Sequence, residues 1–136
     1  MLELSEKLKP GLSGTAEIVV GTRDTAPHVG SGKIGVLATP IMVNLMEAAA
    51  LQAVERFMPA GHQTVGTHLD VKHFAATPVG MRVVAHAELV KVEGRTLTFR
   101  IRAEDEREAI GEGMHERLII NVERFDVRMQ RKLGKA

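Results

Sequence analysis

One carboxylate in this sequence lies where a charged side chain is costly to place. Glu47 is surrounded by apolar residues, including Val43 and Leu51 one helical turn away on either side. Burying a bare carboxylate costs several kcal/mol unless it is paired or reaches a polar pocket. Glu47 is therefore a candidate general base. The structural alternative is a side chain that reaches solvent beside Asn44, three positions earlier.

A threonine and a proline mark the start of the helix that carries Glu47. Thr39 is a favourable N-cap residue, and Pro40 fits the first helical position because its missing N–H is not needed there. Free backbone N–H groups at such a helix start also stabilise an oxyanion. We therefore expect Thr39 to cap the helix, to hold a reacting oxygen, or to do both.

A histidine closes the strand that follows this helix. His73 is suited to act as an acid or a base near neutral pH, although a lone histidine is more often structural. His68 and Asp70 share one face of the strand, whereas His73 points to the other face. Because the three side chains are poorly placed to surround an ion, we expect no metal site.

The hydrophobic pattern predicts one long helix and five strands. The helix, over residues 41–58, is apolar nearly all round, which indicates burial on most sides. Residues 96–104 alternate between apolar and polar side chains, as in a half-buried antiparallel strand. The other predicted strands cover residues 15–20, 64–74, 82–92 and 110–122, and a glycine-rich loop covers residues 21–35.

This order of elements predicts a single α+β domain over residues 1–136. A strand, a loop and the long buried helix precede four strands that we expect to form an antiparallel meander. The sheet must then curl around the helix and bury it on one side. Because the outer flank of the helix still needs cover, we expect a second copy of the chain to supply it in a homodimer.

Composition and charge exclude several classes of protein. The 136 residues carry a net charge of +1 and 3% aromatic residues, so neither a basic field nor stacking surfaces favour nucleic-acid binding. The absence of Cys excludes disulfides and is compatible with the cytoplasm, where we place the protein. No apolar run is long enough for a signal peptide or a membrane span, so we expect a soluble protein with no membrane partner.

Two local patterns indicate nucleotide or phosphate binding only weakly. Residues 30–35 match G-x-G-x-x-G, but no strand–turn–helix unit surrounds them, and we expect no cofactor. The tail over residues 126–136 contains four basic residues and one acidic residue. We expect this tail to be solvated, with a phosphate contact as the weaker alternative.

Two runs of the sequence resemble a known family. They are ATPIMVNLME at residues 38–47 and GTHLDVKHFAATPVG at residues 66–80, followed by matching stretches at 92–95, 113–117 and 122–125. Together they resemble the hotdog-fold acyl-CoA thioesterases, with the closest likeness to the fluoroacetyl-CoA thioesterase-like group. The likeness extends from about residue 35 to the C-terminus, in the same order and spacing.

The resemblance implies a hotdog fold, in which an antiparallel sheet wraps one long buried helix, and an acyl-CoA site at the interface of a homodimer. The residues that match the family's catalytic groups are Thr39, Glu47 and His73. The residues expected to contact the substrate are Gly66, Met42 and Phe74.

The implied activity is hydrolysis of a short or small acyl-CoA thioester. Water attacks the thioester with Glu47 and His73 as acid and base, or Glu47 attacks directly and forms an anhydride. Family members that act on fluoroacetyl-CoA carry an aromatic lid before the threonine, whereas residues 26–38 here contain no Phe. We therefore do not expect fluoroacetyl specificity.

Two other functions compete with hydrolysis. The first is a non-catalytic dimer that binds acyl-CoA or another small ligand, which predicts saturable binding without thiol release. The second is a hotdog hydratase, which is disfavoured because the spacing from Asp70 to His73 is too short for the Asp-x5-His pairing of that class.

Overall fold

The computed structural model describes residues 2–135, so the two terminal residues of the predicted domain, one of which ends the tail, lie outside the described part. The strands are β1 (Ser13–Val19), β2 (His62–His73), β3 (Arg82–Glu93), β4 (Thr96–Asp105) and β5 (Ala109–Asn121). The helices are α1 (Ala26–Val29), α2 (Thr39–Val54) and α3 (Val122–Lys132), with short 3₁₀ turns at Thr22–Asp24 and Glu55–Phe57. The α+β class and the five predicted strands are confirmed.

The five strands form one antiparallel sheet in the order β1-β3-β4-β5-β2. The predicted meander is therefore correct for β3, β4 and β5 and wrong for β2, which pairs with β5. The two backbones pass closely at Gly113, where a Cβ atom would collide with the main chain of Asp70. Strands that are adjacent in sequence are usually but not always neighbours in a sheet, and here Gly113 permits the close approach of β2 to β5.

Helix α2 packs against β1, β3 and β4 and forms the core with them. Its buried residues are Met42, Leu45, Met46, Ala49, Ala50, Ala53 and Val54. The apolar face predicted for β4 is buried opposite the helix, with exposure of no more than 1% at Leu97, Phe99, Ile101 and Ala103. At Gly14 of β1 a Cβ atom would collide with the main chain of α2. This glycine therefore permits the close packing by which the sheet wraps the helix.

One flank of α2 remains uncovered in the single chain. Asn44 and Ala48 are exposed on this flank, and Val43, Glu47 and Leu51 are half-buried. The neighbouring strand, β2, is an edge strand whose residues are mostly exposed. The helix that the sequence predicts to be buried on most sides is therefore open towards β2.

The ends of α2 differ from the prediction. Ala38 is the N-cap residue, Thr39 is the first helical residue, and no side chain caps the helix, so the predicted Thr39 cap is wrong. The physical reason is that the Thr39 hydroxyl bonds to His73 instead. At the other end, α2 stops at Val54 and a 3₁₀ turn replaces the last predicted helical turn.

The basic tail forms a helix that the hydrophobic pattern did not predict. Helix α3 begins where the Asn121 side chain accepts a hydrogen bond of 3.0 Å from the backbone N–H of Arg124. Its residues are mostly exposed, so the described part of the tail is solvated as expected. Across residues 2–135, no helix has both the length and the apolar character needed to span a membrane.

Candidate active site

The start of α2 meets the end of β2 at a threonine and a histidine. Oγ1 of Thr39 lies 2.7 Å from Nδ1 of His73, which is a hydrogen bond between the two side chains. Thr39 is the first residue of α2 and His73 is the last residue of β2, so the contact depends on where these elements end. The structure thus brings together two of the three predicted catalytic residues, which we call the histidine cluster.

A cleft of about 390 Å³ opens beside the histidine cluster. The segment before α2 contributes Lys33, Ile34, Val36 and Leu37 to its wall. Phe74, a predicted substrate contact, also lines the cleft and is 54% exposed. The segment expected to act as a lid therefore borders the two predicted catalytic residues, and its wall there is aliphatic with one lysine.

The imidazole of His73 is half-buried beside this cleft. Burial lowers the pKa of His73, and the backbone at Ala75 opposes the shift in part. The neutral ring is therefore favoured at pH 7, and its tautomer decides whether Nδ1 accepts the hydrogen bond from the Thr39 hydroxyl or donates to it. Nε2 is buried and has no hydrogen-bond partner within residues 2–135. Because an unpaired buried polar atom is costly, Nε2 is well suited to bind a substrate oxygen or a water molecule.

Glu47 lies in a second group of residues, with Gly66 and Arg117. Its Oε2 atom is 3.5 Å from Nη1 of Arg117, and its side chain is 36% exposed. The same oxygen stands 2.6 Å from the position that a Cβ atom on residue 66 would take. The absence of a side chain at Gly66 therefore permits this approach. The Glu47 carboxylate is paired with an arginine rather than simply solvated beside Asn44, and we call these three residues the carboxylate cluster.

Hydrogen bonds from two strands hold Arg117 in place. Its Nε donates to Oγ1 of Thr64 over 2.9 Å, and its Nη2 donates to the Thr64 carbonyl over 3.2 Å. Its Nη1 donates to Nε2 of His115 over 3.1 Å, and Nδ1 of that fully buried ring donates to the His68 carbonyl over 2.8 Å. Burial lowers the pKa of Arg117 and of His115, and the Glu47 carboxylate opposes the shift at Arg117. The guanidinium that faces Glu47 is therefore fixed in orientation.

The sequence analysis missed Arg117 and His115 as site residues. Both alternate with Ile119 along β5, and all three side chains are buried on the same face of the sheet. Polar residues on an inward face need hydrogen-bond partners. A histidine and an arginine at alternate positions of a strand, followed by an isoleucine two positions on, therefore form the pattern that could have identified these two buried polar residues from the sequence.

Within one chain, the three predicted catalytic residues are divided between the two clusters. Thr39 and Glu47 are separated by eight residues of α2, which corresponds to about 12 Å along a helix. Gly66 and His73 are likewise separated along β2. Within residues 2–135, no group of three metal-ligating side chains comes together. The clusters offer proton transfer and hydrogen bonding at two places along α2 and β2.

Met42, a predicted substrate contact, lies in the core. Its side chain is fully buried, and its Sδ atom stands 2.6 Å from the position of a Cβ atom on Gly111. It is not among the residues that line the cleft beside Thr39. The thioether fills the space above Gly111, so in this structure Met42 packs α2 against β5 rather than facing a ligand.

Comparisons with known proteins identify related thioesterases. A family model described as FlK, fluoroacetyl-CoA-specific thioesterase, matches residues 20–123. The fluoroacetyl-CoA thioesterase of Streptantibioticus cattleyicolor is 43% identical over 97 residues, which cover 71% of this chain and 70% of that protein. The residues matched by the family model include the positions of Thr39, Glu47 and His73.

Solved structures confirm the predicted hotdog fold. A variant of the fluoroacetyl-CoA-specific thioesterase FlK in complex with fluoroacetate and CoA is 38% identical, with a TM-score of 0.81 over 87% of this chain and 99% of that chain. A hot-dog-like protein from Thermanaerovibrio acidaminovorans is 20% identical, with a TM-score of 0.85 over 93% of this chain and 94% of that chain. By the extent of these matches, the chain belongs to the fluoroacetyl-CoA-specific thioesterase family.

Proposed function

We propose that this chain is a homodimeric, cytoplasmic acyl-CoA thioesterase that hydrolyses a short or small acyl-CoA thioester. Membership of the family makes it a thioester hydrolase. The observation that carries the proposal is the 2.7 Å hydrogen bond between Thr39 and His73 beside the cleft, together with the Glu47 carboxylate held by Arg117 further along α2. Thioester hydrolysis requires such groups: a proton acceptor, a proton donor and hydrogen bonds to the carbonyl oxygen.

A second copy of the chain would complete the site. Strand β2 has twelve residues and lies at the edge of the sheet, so an antiparallel partner strand would continue the sheet there. In an antiparallel pairing of two identical strands, facing side chains lie on the same face of the sheet, so the two-fold axis passes beside a residue that faces its own copy. Because residue 67 is bulged in β2, a pairing centred on Asp70 places His73 beside Gly66 of the partner subunit. The histidine cluster of one subunit then meets the carboxylate cluster of the other.

Two chemical routes fit such a site. In the first, Glu47 or His73 takes a proton from water as the water oxygen attacks the thioester carbon; the C–S bond then breaks and the CoA sulfur leaves as a thiolate, which takes up a proton from the acid partner. In the second, Glu47 attacks the same carbon and forms an anhydride that water hydrolyses. In both routes Thr39 and the main chain of Gly66 hold the carbonyl oxygen.

The wall of the cleft bears on the identity of the acyl group. Residues 26–38 contain no Phe, and they present aliphatic side chains and Lys33 to the cleft. This segment offers a fluorinated acyl group no aromatic contact, and the aromatic side chain that lines the cleft, Phe74, comes from the end of β2 instead. We therefore propose that the enzyme accepts small acyl groups without preference for fluoroacetyl-CoA. Rates measured over short, branched, aromatic and halogenated acyl-CoAs test this, and much faster hydrolysis of fluoroacetyl-CoA than of acetyl-CoA would contradict it.

Removal of the Glu47 charge tests the proposed catalysis. Glu47→Gln keeps the shape of the side chain, and we expect kcat/KM to fall by about 10² to 10⁴, the usual contribution of a general acid or base. Thiol release is measured with a thiol reagent, which meets no protein background because the sequence has no Cys. Glu55→Gln, in the exposed turn that follows α2, is the matched control and should keep the wild-type rate. Saturable acyl-CoA binding by the wild type without thiol release would instead favour a binding dimer.

Mixed dimers test the arrangement of the site across two subunits. Glu47→Gln and His73→Ala should each be inactive alone. A dimer that contains one subunit of each variant has one site with every wild-type group, so co-expression should restore part of the activity. Light scattering checks that the wild type is a dimer. A monomeric wild type, or confirmed mixed dimers without activity, would contradict the proposed arrangement.

A further inference from the structure

A hollow of about 600 Å³ lies at the start of β2, away from the cleft. Two arginines, Arg95 and Arg124, and one histidine, His62, supply its charged or titratable side chains, and we call it the arginine hollow. Its other lining residues are Leu2, Leu4, Gly94 and Asn121. Among the described residues, no Asp or Glu lines this hollow. Its electrostatic character is therefore positive, although the whole chain carries a net charge of only +1.

The two arginines of the hollow differ from others on the protein surface. Arg82 and Arg100 form ion pairs with Glu17 and Glu88 across neighbouring strands. Within residues 2–135, neither Arg95 nor Arg124 forms an ion pair. Both side chains are exposed, so their guanidinium groups are available to a ligand. A guanidinium matches the geometry of a phosphate better than any other cationic side chain.

The arginine hollow lies on the same face of the sheet as the carboxylate cluster. Thr64 and Gly66 contact that cluster, and His62 follows them in alternation along β2 to the hollow. The four residues from Gly66 to His62 correspond to about 13 Å of strand. In CoA, the extended pantetheine arm separates the thioester from the nucleotide phosphates. The hollow is therefore placed where the far end of such a molecule would lie when its thioester is at Gly66.

We propose that the arginine hollow binds the phosphate groups of the CoA nucleotide, with Arg95 and Arg124 as the ligands. The inference rests on the proposed function, which supplies CoA as the leaving group. Within residues 2–135 neither arginine side chain forms an ion pair or a hydrogen bond, and the bonds of both residues come from the main chain. The Arg95 carbonyl accepts from the backbone N–H of Ile119, and the Arg124 N–H donates to the Asn121 cap.

Direct binding of a nucleotide fragment tests the hollow without any catalysis. Adenosine 3′,5′-bisphosphate is titrated calorimetrically into the wild type and into Arg95→Gln/Arg124→Gln. We expect about threefold weaker binding for each exposed arginine removed and about tenfold for both. The control Lys9→Gln/Arg107→Gln removes two positive charges from exposed positions outside the hollow and should bind as the wild type does. Equal affinity for the double variant and the wild type would overturn the proposal.

Steady-state kinetics test whether the two arginines also contribute to the binding of the substrate during turnover. With acyl-CoA, Arg95→Gln/Arg124→Gln should raise KM about tenfold and leave kcat unchanged, and added salt should weaken this difference. With the acyl-pantetheine thioester, which lacks the nucleotide, the variant and the wild type should be equal. An equal rise in KM for both substrates would overturn the proposal. If the wild type hydrolyses no thioester, the proposed function fails, while the calorimetric result still decides whether the hollow binds the nucleotide.

Discussion

The histidine cluster and the carboxylate cluster are held in place in different ways. In the histidine cluster, one hydrogen bond joins Thr39 to His73, and Nε2 of the imidazole has no partner within residues 2–135. In the carboxylate cluster, Arg117 is bonded to buried groups of two strands before it reaches Glu47. One cluster is therefore joined by a single bond at the ends of two elements, and the other is fixed by a network within the sheet.

This difference indicates how each cluster contributes to a reaction. A charged group that is already oriented by several hydrogen bonds needs little reorganisation when charge develops beside it. A buried nitrogen without a partner gains a hydrogen bond when substrate or water arrives. Substitutions near Glu47 should therefore reduce activity by displacing a fixed carboxylate, and substitutions near His73 should do so by removing one bond.

A single methyl group at position 66 should have the largest effect. Gly66→Ala places a Cβ atom 2.6 Å from Oε2 of Glu47 and 3.2 Å from Cε1 of His115, so the carboxylate has to move. A displacement of about 1 Å in a catalytic group costs about 100-fold in rate, which is the loss of kcat/KM that we expect. The free energy of unfolding should also fall, because the new methyl group is directed towards the buried His115 and Arg117 side chains.

Two further variants isolate this effect. Gly21→Ala is the control, because its Cβ atom would meet the nearest atom, Oδ2 of Asp24, at an ordinary 3.6 Å. In a Glu47→Gln background, Gly66→Ala should cause no further loss, because the two substitutions remove the same function. A second 100-fold loss in that background would show that Gly66 acts independently of the carboxylate.

Removal of the arginine should have the next largest effect, and it should appear in stability. Arg117→Gln leaves His115 and Glu47 without their cationic partner. Breaking a buried ion pair in this way costs about 3–5 kcal/mol, and we expect about 2 kcal/mol because the Glu47 side chain is 36% exposed. Urea denaturation measures the change. Arg100→Gln, which breaks an exposed pair with Glu88, should change the free energy of unfolding by less than about 1 kcal/mol.

The local pattern of the sequence was sufficient to predict the helices and strands of the core, but not which strands pair with one another in the sheet. Alternation in β4 predicted its buried face because a strand turns every second side chain to the same side. The pairing of β2 with β5 joins residues far apart in the chain, with a close approach of the two backbones at Gly113. No pattern within β2 itself contains that information.

The same distinction holds for the candidate site. The identity of Glu47 as a candidate follows from its apolar neighbours in sequence, and that of His73 from the end of a strand. The bond between Thr39 and His73 joins residues 34 positions apart, and it replaced the local cap that the sequence predicted. The orientation of Glu47 by Arg117 likewise requires α2 to lie over β5. Local rules therefore identify the chemical groups, and tertiary packing decides which of them meet.

Loss of the Thr39 hydroxyl should have a smaller effect, confined to activity. Thr39→Val removes one hydrogen bond to His73, so we expect kcat/KM to fall by about threefold to tenfold, equivalent to 0.5–1.5 kcal/mol. Stability should stay within about 0.5 kcal/mol of the wild type, because the hydroxyl does not cap α2. Thr39→Ser should retain most of the activity. A loss of about 1 kcal/mol in the free energy of unfolding of Thr39→Val would instead indicate a capping role.

The dependence of activity on pH should give the smallest effect and should isolate the histidine cluster. Burial holds the pKa of His73 below 6.5, so the neutral ring persists under mildly acidic conditions and kcat/KM should fall only as the pH passes this lowered pKa. Between the lowered pKa of the folded chain and the usual value of 6.5, the unfolded chain binds more protons than the folded one. The free energy of unfolding should therefore also decrease as the pH falls through this range. The direction of the Thr39–His73 hydrogen bond decides the effect of Thr39→Val. The acid limb of kcat/KM should move to higher pH where the hydroxyl donates to Nδ1 and stabilises the neutral ring, and to lower pH where Nδ1 donates to the hydroxyl. In Gly66→Ala, which alters the other cluster, it should stay in place.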